Sequence, residues 1–390
     1  MDTVKVGIIG IGNIGSAHAS AVYSGEVDGM TLGALCDIDP VKREMLKEKY
    51  PSVPLFDNAE DMMKSGLVDA VIISVPHYGH PPLAIKAFSY GLHVITEKPG
   101  GVMCSQVKKM IAAARESGKV FGVMFNQRNN SLFAYAKELV ASGRLGEIKR
   151  SVWIITNWYR KQCYYDSGSW RATWSGEGGG VLLNQAPHNL DLWQWICGMP
   201  SAIRAECNIG KFHSIEVEDE ATIFADYPNG ATGVFITTTG DYPGTNRLEI
   251  TGTKGKIVIE NGKLTLSTFL YNERDFRMMP ETAKNPITTE EMSDTEYNGH
   301  VMILKNFTRA ILYGEPLLAP GEESLNELTV SNAAYLSSWT DKKISLPLDD
   351  ALFDRMLSEK IEASSVSSGD KKQTSSSLST DYMGRWNTNW

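Results

Sequence analysis

A glycine-spaced turn near the start of the chain constrains the fold more than any other feature. The apolar run Val4–Ile9 is typical of a buried strand, and Gly10-x-Gly12-x-x-Gly15 follows it, before a segment with helical composition. In this pattern Gly10 makes a tight turn, Gly12 lets the backbone approach a pyrophosphate, and Gly15 lets the helix pack closely on the strand. The start of that helix would face the phosphate charge. The pattern therefore predicts a dinucleotide-binding fold.

An acidic residue follows at the spacing that this type of turn requires. The second predicted strand, Thr31–Cys36, ends at Asp37, about 20 residues after the last glycine. A carboxylate at this position accepts hydrogen bonds from an adenosine ribose diol and repels a 2′-phosphate. We therefore expect NAD as the cofactor, in preference to NADP.

Strand and helix patterns continue to alternate up to residue 126. Helices predicted at Pro40–Lys49, Pro82–Tyr90 and Gln106–Ser117 separate strands predicted at Asp69–Val75, His93–Thr96 and Val120–Phe125. Such alternation predicts a doubly wound parallel sheet, a Rossmann domain, over residues 1–126. Ligands of these sheets bind beyond the carboxyl ends of the strands. We expect cofactor contacts there and at the glycine turn, from Gly10, Gly12, Asn13, Ile14, Gly15, Asp37, Ser74, Pro76, His80, Glu97, Lys98 and Asn126.

Beyond residue 126 the pattern changes to strands joined by turns. Strands are predicted at Lys149–Thr156, Ile203–Asn208, Ala221–Asp226, Thr232–Thr238, Arg247–Thr251, Lys256–Glu260 and Lys263–Ser267. Their amphipathic pattern predicts a large, mainly antiparallel sheet with one face covered by helices, in an α+β domain over residues 127–348. Helices are predicted at Ser131–Ser142, His300–Tyr313 and Glu322–Ser338. Residues 349–390 are predicted to form a helix, a Ser/Thr-rich linker and an aromatic tail.

Charge and cysteine content exclude several classes of function. The net charge of −8 offers no basic footprint for nucleic acid, and no apolar run reaches the roughly 18 residues of a membrane span. The five cysteines are scattered without a CxxC pair, which argues for reduced thiols and against a structural zinc site. Because a strand pattern begins at Val4, we expect no signal peptide. These observations predict a cytoplasmic protein without a bound metal.

A second glycine-rich segment carries the candidate reacting groups. The run Gly178–Asp191 begins with three glycines and continues with Asn184, His188 and Asp191 at spacings of four and three. On a single helix these spacings place the three polar side chains on one side. A histidine held in this way can exchange a proton near neutral pH. The alternative is a half-buried helix whose histidine bonds only to the backbone.

Together these motifs resemble the Gfo/Idh/MocA family, named after glucose–fructose oxidoreductase, inositol dehydrogenase and a rhizopine-catabolism protein. The resemblance rests on the glycine turn, on Glu97-Lys98-Pro99 after the fifth strand, and on the glycine run followed by His188 and Asp191. His80 also fits a position of the family pattern. The resemblance implies NAD(P)-dependent hydride transfer at a secondary alcohol of a sugar, cyclitol or related polyol.

The resemblance also implies roles for individual side chains. Hydride removal from a carbinol carbon requires a base for the hydroxyl proton. Partial burial at a strand end would lower the pKa of Lys98, its charge could stabilise a developing alkoxide, and His188 would be a second proton carrier. The family has an acidic residue where this chain has Asn184, which can orient a hydroxyl but cannot carry a proton. We therefore expect Lys98, His188 and Asn184 to form the catalytic set, with Asp191 as a neighbouring partner.

An aromatic stretch between residues 157 and 174 is the best indication of the substrate. It combines tryptophans, tyrosines and two arginines without the alternation of a strand. Aromatic faces stack on sugar rings, while arginine and asparagine bond to hydroxyls or a carboxylate. The alternative is a rigid loop that closes the core or a subunit interface. We expect the substrate to contact Lys98, Arg128, Trp158, Tyr159, Arg160, Trp170, Arg171, Asn184 and His188.

Two other functions fit the same motifs. One is a NAD-dependent glycoside hydrolase or lyase, in which transient oxidation permits elimination and no net NADH accumulates. The other is a non-catalytic nucleotide-binding regulator. The elimination route needs an additional base near the substrate and a retained cofactor, and the presence of both Lys98 and His188 speaks against the regulator. We therefore favour the dehydrogenase. The resemblance further implies a homodimer or homotetramer.

Overall fold

Two separate sheets organise the molecule. The computed structural model describes residues 2–168, 170–295 and 298–364. The predicted aromatic tail and almost all of the predicted Ser/Thr-rich linker lie beyond residue 364, outside the described residues. Within the described ranges, no helix is long and apolar enough to cross a membrane. The same ranges contain no group of His, Cys, Asp and Glu side chains that could hold a metal ion.

The first sheet is parallel and has six strands. These are β1 Val4–Ile9, β2 Met30–Cys36, β3 Leu55–Phe56, β4 Ala70–Ile73, β5 His93–Thr96 and β6 Phe121–Val123. The helices between them are α1 Asn13–Tyr23, α2 Pro40–Lys49, α3 Ala59–Lys64, α4 His80–Ser89 and α5 Cys104–Ser117. The spatial order is β3-β2-β1-β4-β5-β6, so the order reverses between β1 and β4. The predicted doubly wound sheet is confirmed, and the reversal marks the crevice where such sheets bind ligands.

Burial explains which strands the sequence predicts well. All four residues of β4 are buried, as expected for a parallel strand that is covered on both faces. The sequence does not predict β3 or α3. Strand β3 is only two half-buried residues at the sheet edge. Helix α3 has six residues, and its one strong signal is the capping side chain of Asn58, which accepts hydrogen bonds from the Glu60 and Asp61 N–H groups.

The second sheet has nine strands and confirms the predicted antiparallel architecture. They are β7 Ile148–Ile155, β8 Ala202–Ile209, β9 Glu218–Asp226, β10 Thr232–Thr238, β11 Asn246–Gly252, β12 Gly255–Glu260, β13 Lys263–Phe269, β14 Ile287–Ser293 and β15 Ile344–Ser345. Their spatial order is β14-β13-β12-β11-β7-β10-β9-β8-β15, and only β7 and β10 pair in parallel. The sequence does not predict the two edge strands. Strand β14 is almost entirely exposed and polar, and β15 has two residues.

The helices of the second half of the chain pack against both sheets. They are α6 Ser131–Ala141, α7 Gln162–Asp166, α8 Val181–Asn184, α9 Pro187–Cys197, α10 Glu273–Phe276, α11 Gly299–Tyr313, α12 Ser324–Thr340 and α13 Asp350–Glu362. Helix α12 packs on β8 and α9. Helix α11 instead contributes Val301, Leu304 and Phe307 to the core that contains β1. The chain therefore returns to the first sheet after completing most of the second.

A buried ion pair connects the end of β6 to α9. The guanidinium of Arg128 donates from Nε and Nη2 to the two carboxylate oxygens of Asp191, at 2.8 and 2.6 Å. Its Nη1 donates to the carbonyl of Leu318 and to Glu323. Both side chains of the Arg128–Asp191 pair are buried. This arrangement contradicts the substrate contact predicted for Arg128, because these donors are engaged inside the protein.

Replacing Arg128 by Met should destabilise the fold strongly, because it leaves the buried carboxylate of Asp191 without its cation. We expect the free energy of unfolding to fall by about 3–5 kcal/mol in urea titrations. Adding Asp191→Asn should recover part of that loss, since no buried charge is then left over. The matched control is Arg115→Met, which breaks the exposed Arg115–Glu322 pair and should leave the free energy of unfolding nearly unchanged. Equal losses of stability in Arg128→Met and Arg115→Met would contradict a structural role for the buried ion pair.

Candidate active site

The three glycines at the junction of β1 and α1 serve three different purposes, and the third of them lies in the first turn of α1. Gly10 has a φ of +88°, which L side chains rarely adopt. Gly15 lies so close to the Gly10 carbonyl that a side chain would collide with backbone. At Gly12, in contrast, no described protein atom lies within 4 Å of the position that a Cβ would take. The hydroxyl of Ser74 donates to the Gly10 carbonyl at 2.8 Å and holds the turn from the β4 side.

The start of α1 fits a phosphate group. Gly12 is its N-cap residue and provides no capping side chain. The first N–H groups of a helix have no partner within the helix, and they attract anions together with the helix dipole. The open space at Gly12 and the uncapped helix start therefore suit the pyrophosphate of a dinucleotide. Asn13 and Ile14 are the first two residues of α1 and directly follow Gly12 in the chain.

Asp37 holds the same turn from the end of β2. Its carboxylate accepts hydrogen bonds from the N–H groups of Ile11 and Asp39, at 2.8 and 2.9 Å. Two cations lie beside it, because Lys42 Nζ is 3.6 Å from the carboxylate and Arg43 donates to the Asp37 carbonyl. The carboxylate suits a ribose diol, whereas the cations would tolerate a 2′-phosphate. The preference between NAD and NADP therefore depends on the balance of these charges.

Lys98 follows β5 at the carboxyl edge of the parallel sheet. Its Nζ donates to the backbone carbonyl of Asn184 at 2.9 Å, which links the first sheet to α8. Lys98 is partly exposed as a residue. Burial of its surroundings lowers the pKa of Lys98, although the negative charges of Glu97 and Glu177 oppose this effect. Lys98 therefore releases its proton more readily than an ordinary lysine.

Glu97 and Asn126, both predicted to contact the cofactor, lie in one polar cluster. Oε1 of Glu97 is 2.8 Å from Nε2 of His18 on α1. Burial would raise the pKa of Glu97, but the hydrogen bond to His18 and the charges of His18, His300 and Lys98 lower it to about 2. Nδ2 of Asn126 is 3.4 Å from Nδ1 of His300. The ends of β5 and β6 are thus tied to α1 and α11.

Asn184 and His188 belong to two helices, and the prediction of a single helix is wrong. Helix α8 ends at Asn184 and α9 begins at Pro187. Proline suits the first turn of a helix but cannot donate the N–H that would continue the preceding one. Both residues nevertheless lie near Lys98. Burial, and then the charge of Lys98, lower the pKa of His188 well below its ordinary value, so the imidazole is neutral at pH 7.

His80 lies inside the protein between the turns that follow β4 and β5. Nδ1 is 2.8 Å from the carbonyl of Pro99, and Nε2 is 2.8 Å from the carbonyl of Val75. Burial lowers the pKa of His80. The cofactor contact predicted for His80 is contradicted, because both ring nitrogens face backbone. The ring instead holds the Lys98–Pro99 turn against the turn that contains Pro76.

The first part of the aromatic stretch is largely structural. Trp158 is 1% exposed, which contradicts its predicted stacking on substrate. Tyr159 is 41% exposed, and its ring meets that of Tyr242 edge to face. Arg160 Nη1 donates to the Tyr159 carbonyl at 2.9 Å. Tyr159 therefore lies at the surface and Arg160 is half-buried beside it, while Trp158 anchors their segment in the core.

The second part of the stretch reaches the first domain. The ring of Trp170 lies 5.8 Å from that of His77, which follows β4. The guanidinium of Arg171 is 4.6 Å from the ring centres of both Trp170 and Tyr164, and its Nη1 donates to the Tyr164 hydroxyl at 2.9 Å. These contacts place Trp170 and Arg171 beside the strand ends that carry the cofactor features.

The sequence pattern does not single out Glu177, yet its carboxyl group is buried in this site. It accepts hydrogen bonds from the Ala172 N–H at 2.6 Å and from the side-chain amide of Asn184. Burial raises the pKa of Glu177, while the charges of Arg171 and Lys98 oppose this effect. The one signal in the sequence is an acidic residue directly before the three glycines.

The site thus combines a turn that fits a dinucleotide with a lysine of lowered pKa, a neutral histidine and an oriented amide. All of them gather around the carboxyl edge of the parallel sheet, where doubly wound folds bind their ligands. A proton-accepting group beside a nicotinamide site is what hydride transfer at a carbinol needs. The fold and the site define a nucleotide-dependent oxidoreductase.

Comparisons with known proteins identify the family. Residues 4–125 match the oxidoreductase family with an NAD-binding Rossmann fold, and residues 133–258 match the GFO/IDH/MocA C-terminal domain. The chain therefore belongs to the Gfo/Idh/MocA family of oxidoreductases, and the resemblance inferred from the motifs is confirmed.

Individual relatives are enzymes of sugar and cyclitol chemistry. The chain is 25% identical to myo-inositol 2-dehydrogenase of Thermotoga maritima, over 90% of this chain and 100% of the relative. It is 28% identical to scyllo-inositol 2-dehydrogenase (NADP+) of Bacillus subtilis, over 58% of this chain and 61% of the relative. Among solved structures, the WlbA dehydrogenase of Bordetella pertussis in complex with NADH and UDP-GlcNAcA is 26% identical, with a TM-score of 0.75, covering 89% of this chain and 100% of that one.

Alanine substitutions at two of the glycines should separate cofactor space from protein packing. Gly12→Ala adds a methyl group that meets no described protein atom, so we expect the stability to change by less than about 0.5 kcal/mol. The same methyl group would crowd the pyrophosphate, and NADH binding measured by fluorescence should weaken about tenfold or more. Gly15→Ala should instead lower the melting temperature, because its Cβ meets backbone. Unchanged NADH affinity in Gly12→Ala would rule out this cofactor position.

Proposed function

We propose that this protein transfers hydride between NAD and a secondary hydroxyl of a sugar, a cyclitol or a glycoside. The observation that carries the proposal is the position of Lys98. Lys98 is a partly exposed residue, its amine has a lowered pKa, and it lies on the same sheet edge as the glycine turn. A proton acceptor beside a dinucleotide site is what the oxidation of an alcohol requires.

Lys98 would act on the hydroxyl proton. Bound nicotinamide supplies the hydride acceptor in the oxidation direction and the donor in reduction. As a neutral amine, Lys98 accepts the proton of the reacting hydroxyl, and its ammonium form then offsets negative charge on the same oxygen. In reduction the ammonium returns that proton. The hydrogen bond from Nζ to the Asn184 carbonyl fixes the direction of the amine.

His188 and Asn184 would complete the set around Lys98. Burial and the charge of Lys98 keep His188 neutral, so its imidazole can donate a hydrogen bond from one ring nitrogen and accept one at the other. The side-chain amide of Asn184 can orient a substrate hydroxyl by hydrogen bonding. In this proposal Lys98 and His188 are the proton carriers, and Asn184 holds the substrate in position.

The substrate class follows from the wall of the cleft and from the relatives. Trp170 offers an apolar ring face and Arg171 a fixed guanidinium, a combination that suits a ring with hydroxyl or carboxylate groups. Two relatives are named as dehydrogenases of inositols, which are cyclitols. The structure of the WlbA dehydrogenase contains NADH and UDP-GlcNAcA. We propose that Tyr159, Arg160, Trp170 and Arg171 contact a polyhydroxylated ring. We further propose that the enzyme is cytoplasmic and assembles as a homodimer or homotetramer.

The test of the function is absorbance at 340 nm with NAD or NADP and a panel of cyclitols, sugars, sugar acids and glycosides. Formation of NADH with one class would support the dehydrogenase and name its substrate. Glycoside cleavage without NADH would point to elimination after transient oxidation, and tight NAD binding with neither reaction would point to a regulator.

Lys98→Met should lower kcat by about 10²–10⁴-fold while NADH affinity stays close to that of the wild type. In the wild type, kcat/KM for oxidation should rise with pH through the lowered pKa of Lys98, because only the unprotonated amine accepts a proton. The arginine in Lys98→Arg stays charged, so this variant should lose the rise of kcat/KM with pH. The control is Lys108→Met, at an exposed lysine paired with Asp350. Near-normal turnover in Lys98→Met would remove Lys98 from the mechanism.

Asp37→Ala should shift the cofactor preference. We expect the ratio of kcat/KM for NAD to that for NADP to fall about tenfold, since Lys42 and Arg43 remain without the opposing carboxylate. The control is Asp39→Ala, which removes the N-cap side chain of α2 and should leave this ratio unchanged. An unchanged ratio in Asp37→Ala would show that Asp37 does not select the cofactor.

A further inference from the structure

Glu177 connects three parts of the molecule through one buried side chain and its backbone. One carboxylate oxygen accepts from the Ala172 N–H at 2.6 Å, and the other accepts from Nδ2 of Asn184. The Glu177 carbonyl lies 2.9 Å from Nδ1 of His77, which follows β4 in the first domain. Glu177 itself is 1% exposed. Burying a carboxyl group costs free energy, so its presence in this position indicates a specific role.

The contact with Asn184 decides how that amide is turned. A carboxylate can only accept hydrogen bonds, so the amide must direct its NH₂ group at Glu177. The hydroxyl of Tyr164 lies 3.3 Å from the same nitrogen. The amide oxygen of Asn184 is thereby turned away from Glu177. An amide oxygen is an acceptor, and a substrate hydroxyl is a donor that it can hold.

Several charges face Glu177 from the elements packed around it. Lys98 and Arg171 are the cations whose charges act on it. The pKa of Tyr165 of α7 is raised mainly by burial, and the charge of Glu177 adds to this effect. Glu97 and Glu327 share the neighbourhood of Lys98. The carboxyl group of Glu177 thus lies near two cations, and its hydrogen bonds hold it in a fixed position.

We propose that Glu177 is a positioning residue for hydride transfer, which holds the Asn184 amide with its oxygen toward a hydroxyl of the polyol substrate. The inference rests on the function proposed above and adds a residue that lies outside the proton-carrying pair. Glu177 touches neither substrate nor cofactor in this role. It acts through Asn184, because the hydrogen bond that its carboxyl oxygen accepts keeps that amide in one orientation.

Replacement by glutamine tests the orientation, because glutamine offers one acceptor and one donor where glutamate offers two acceptors. The Ala172 N–H is backbone and cannot reverse, so the glutamine oxygen must serve it. The glutamine NH₂ group then faces Asn184, whose amide has to turn and present its own NH₂ group to the substrate. We expect Glu177→Gln to lower kcat/KM about 10- to 100-fold.

A second substitution should reverse this loss. Asp at position 184 accepts from the glutamine NH₂ with one oxygen and offers the other oxygen to the substrate. Glu177→Gln/Asn184→Asp should therefore recover about tenfold in kcat/KM over Glu177→Gln. Asn184→Asp alone should be harmful, since it places two carboxyl groups side by side in a buried site. The same substitution is thus expected to have opposite effects in the two backgrounds.

Glu218 provides the matched control, because it is a buried glutamate beside the same glycine run. Its carboxylate accepts from the N–H groups of Gly180 and Leu182 and from the Tyr335 hydroxyl. Glu218→Gln should lower the melting temperature, and Asn184→Asp should not rescue it. If Glu177→Gln likewise loses only stability, with no rescue by Asn184→Asp, Glu177 is structural and the proposal is overturned.

A measurement without substrate separates this proposal from the proposed function. In protein labelled at asparagine, the side-chain ¹H–¹⁵N resonances of Asn184 can be assigned by their absence in Asn184→Asp. We expect them to move in Glu177→Gln and to stay in place in Glu218→Gln, whether or not a substrate is found. Resonances that stay in place in Glu177→Gln would overturn the hold on Asn184. Turnover failure of the wild type on every substrate would instead count against the function alone.

Discussion

Removal of the Lys98 amine from water is the constraint on which the rest of the site depends. An ammonium group loses much of its hydration in such surroundings, and the neutral amine is favoured unless anions compensate. The chain supplies only part of that compensation, through the Asn184 carbonyl and the carboxyl groups of Glu97 and Glu177. The resulting pKa of Lys98 is lowered, and the residue remains partly exposed. A lysine in this state can exchange a proton, which an exposed lysine does poorly at neutral pH.

The position of His188 depends on an interaction that takes no part in the chemistry. His188 and Asp191 lie three residues apart on α9, and Asp191 is held by two hydrogen bonds from Arg128. Because Arg128 follows β6, this ion pair fixes α9 relative to the first sheet. The same sheet carries Lys98 at the end of β5. The buried ion pair therefore keeps the two candidate proton carriers together although they belong to different domains.

The sequence predicts those parts of the molecule whose signals are local. The glycine turn, strand β5 and helix α2 follow from residue order alone, since buried parallel strands are apolar runs and helix ends carry caps or glycines. Trp158 and Arg128 show where such reasoning fails. A tryptophan near a cleft and an arginine after a strand suit a ligand in composition, yet their partners lie far along the chain. Asp191 is 63 residues from Arg128, and no local pattern announces that pairing.

The same limit explains Glu177 and extends to Glu327 on α12. Both carboxyl oxygens of Glu327 are buried, and neither has a hydrogen-bond partner among the described residues. Burial raises the pKa of Glu327 well above its ordinary value, the charge of Asp191 adds to this effect, and Lys98 opposes it. Glu327 is therefore a neutral carboxylic acid on the interior side of the site. His188 is neutral as well, and the charge of Arg128 is matched by Asp191. On this side of the site, charge that develops during hydride transfer would meet neutral hydrogen-bonding groups, while the ammonium form of Lys98 would offset it at the reacting oxygen.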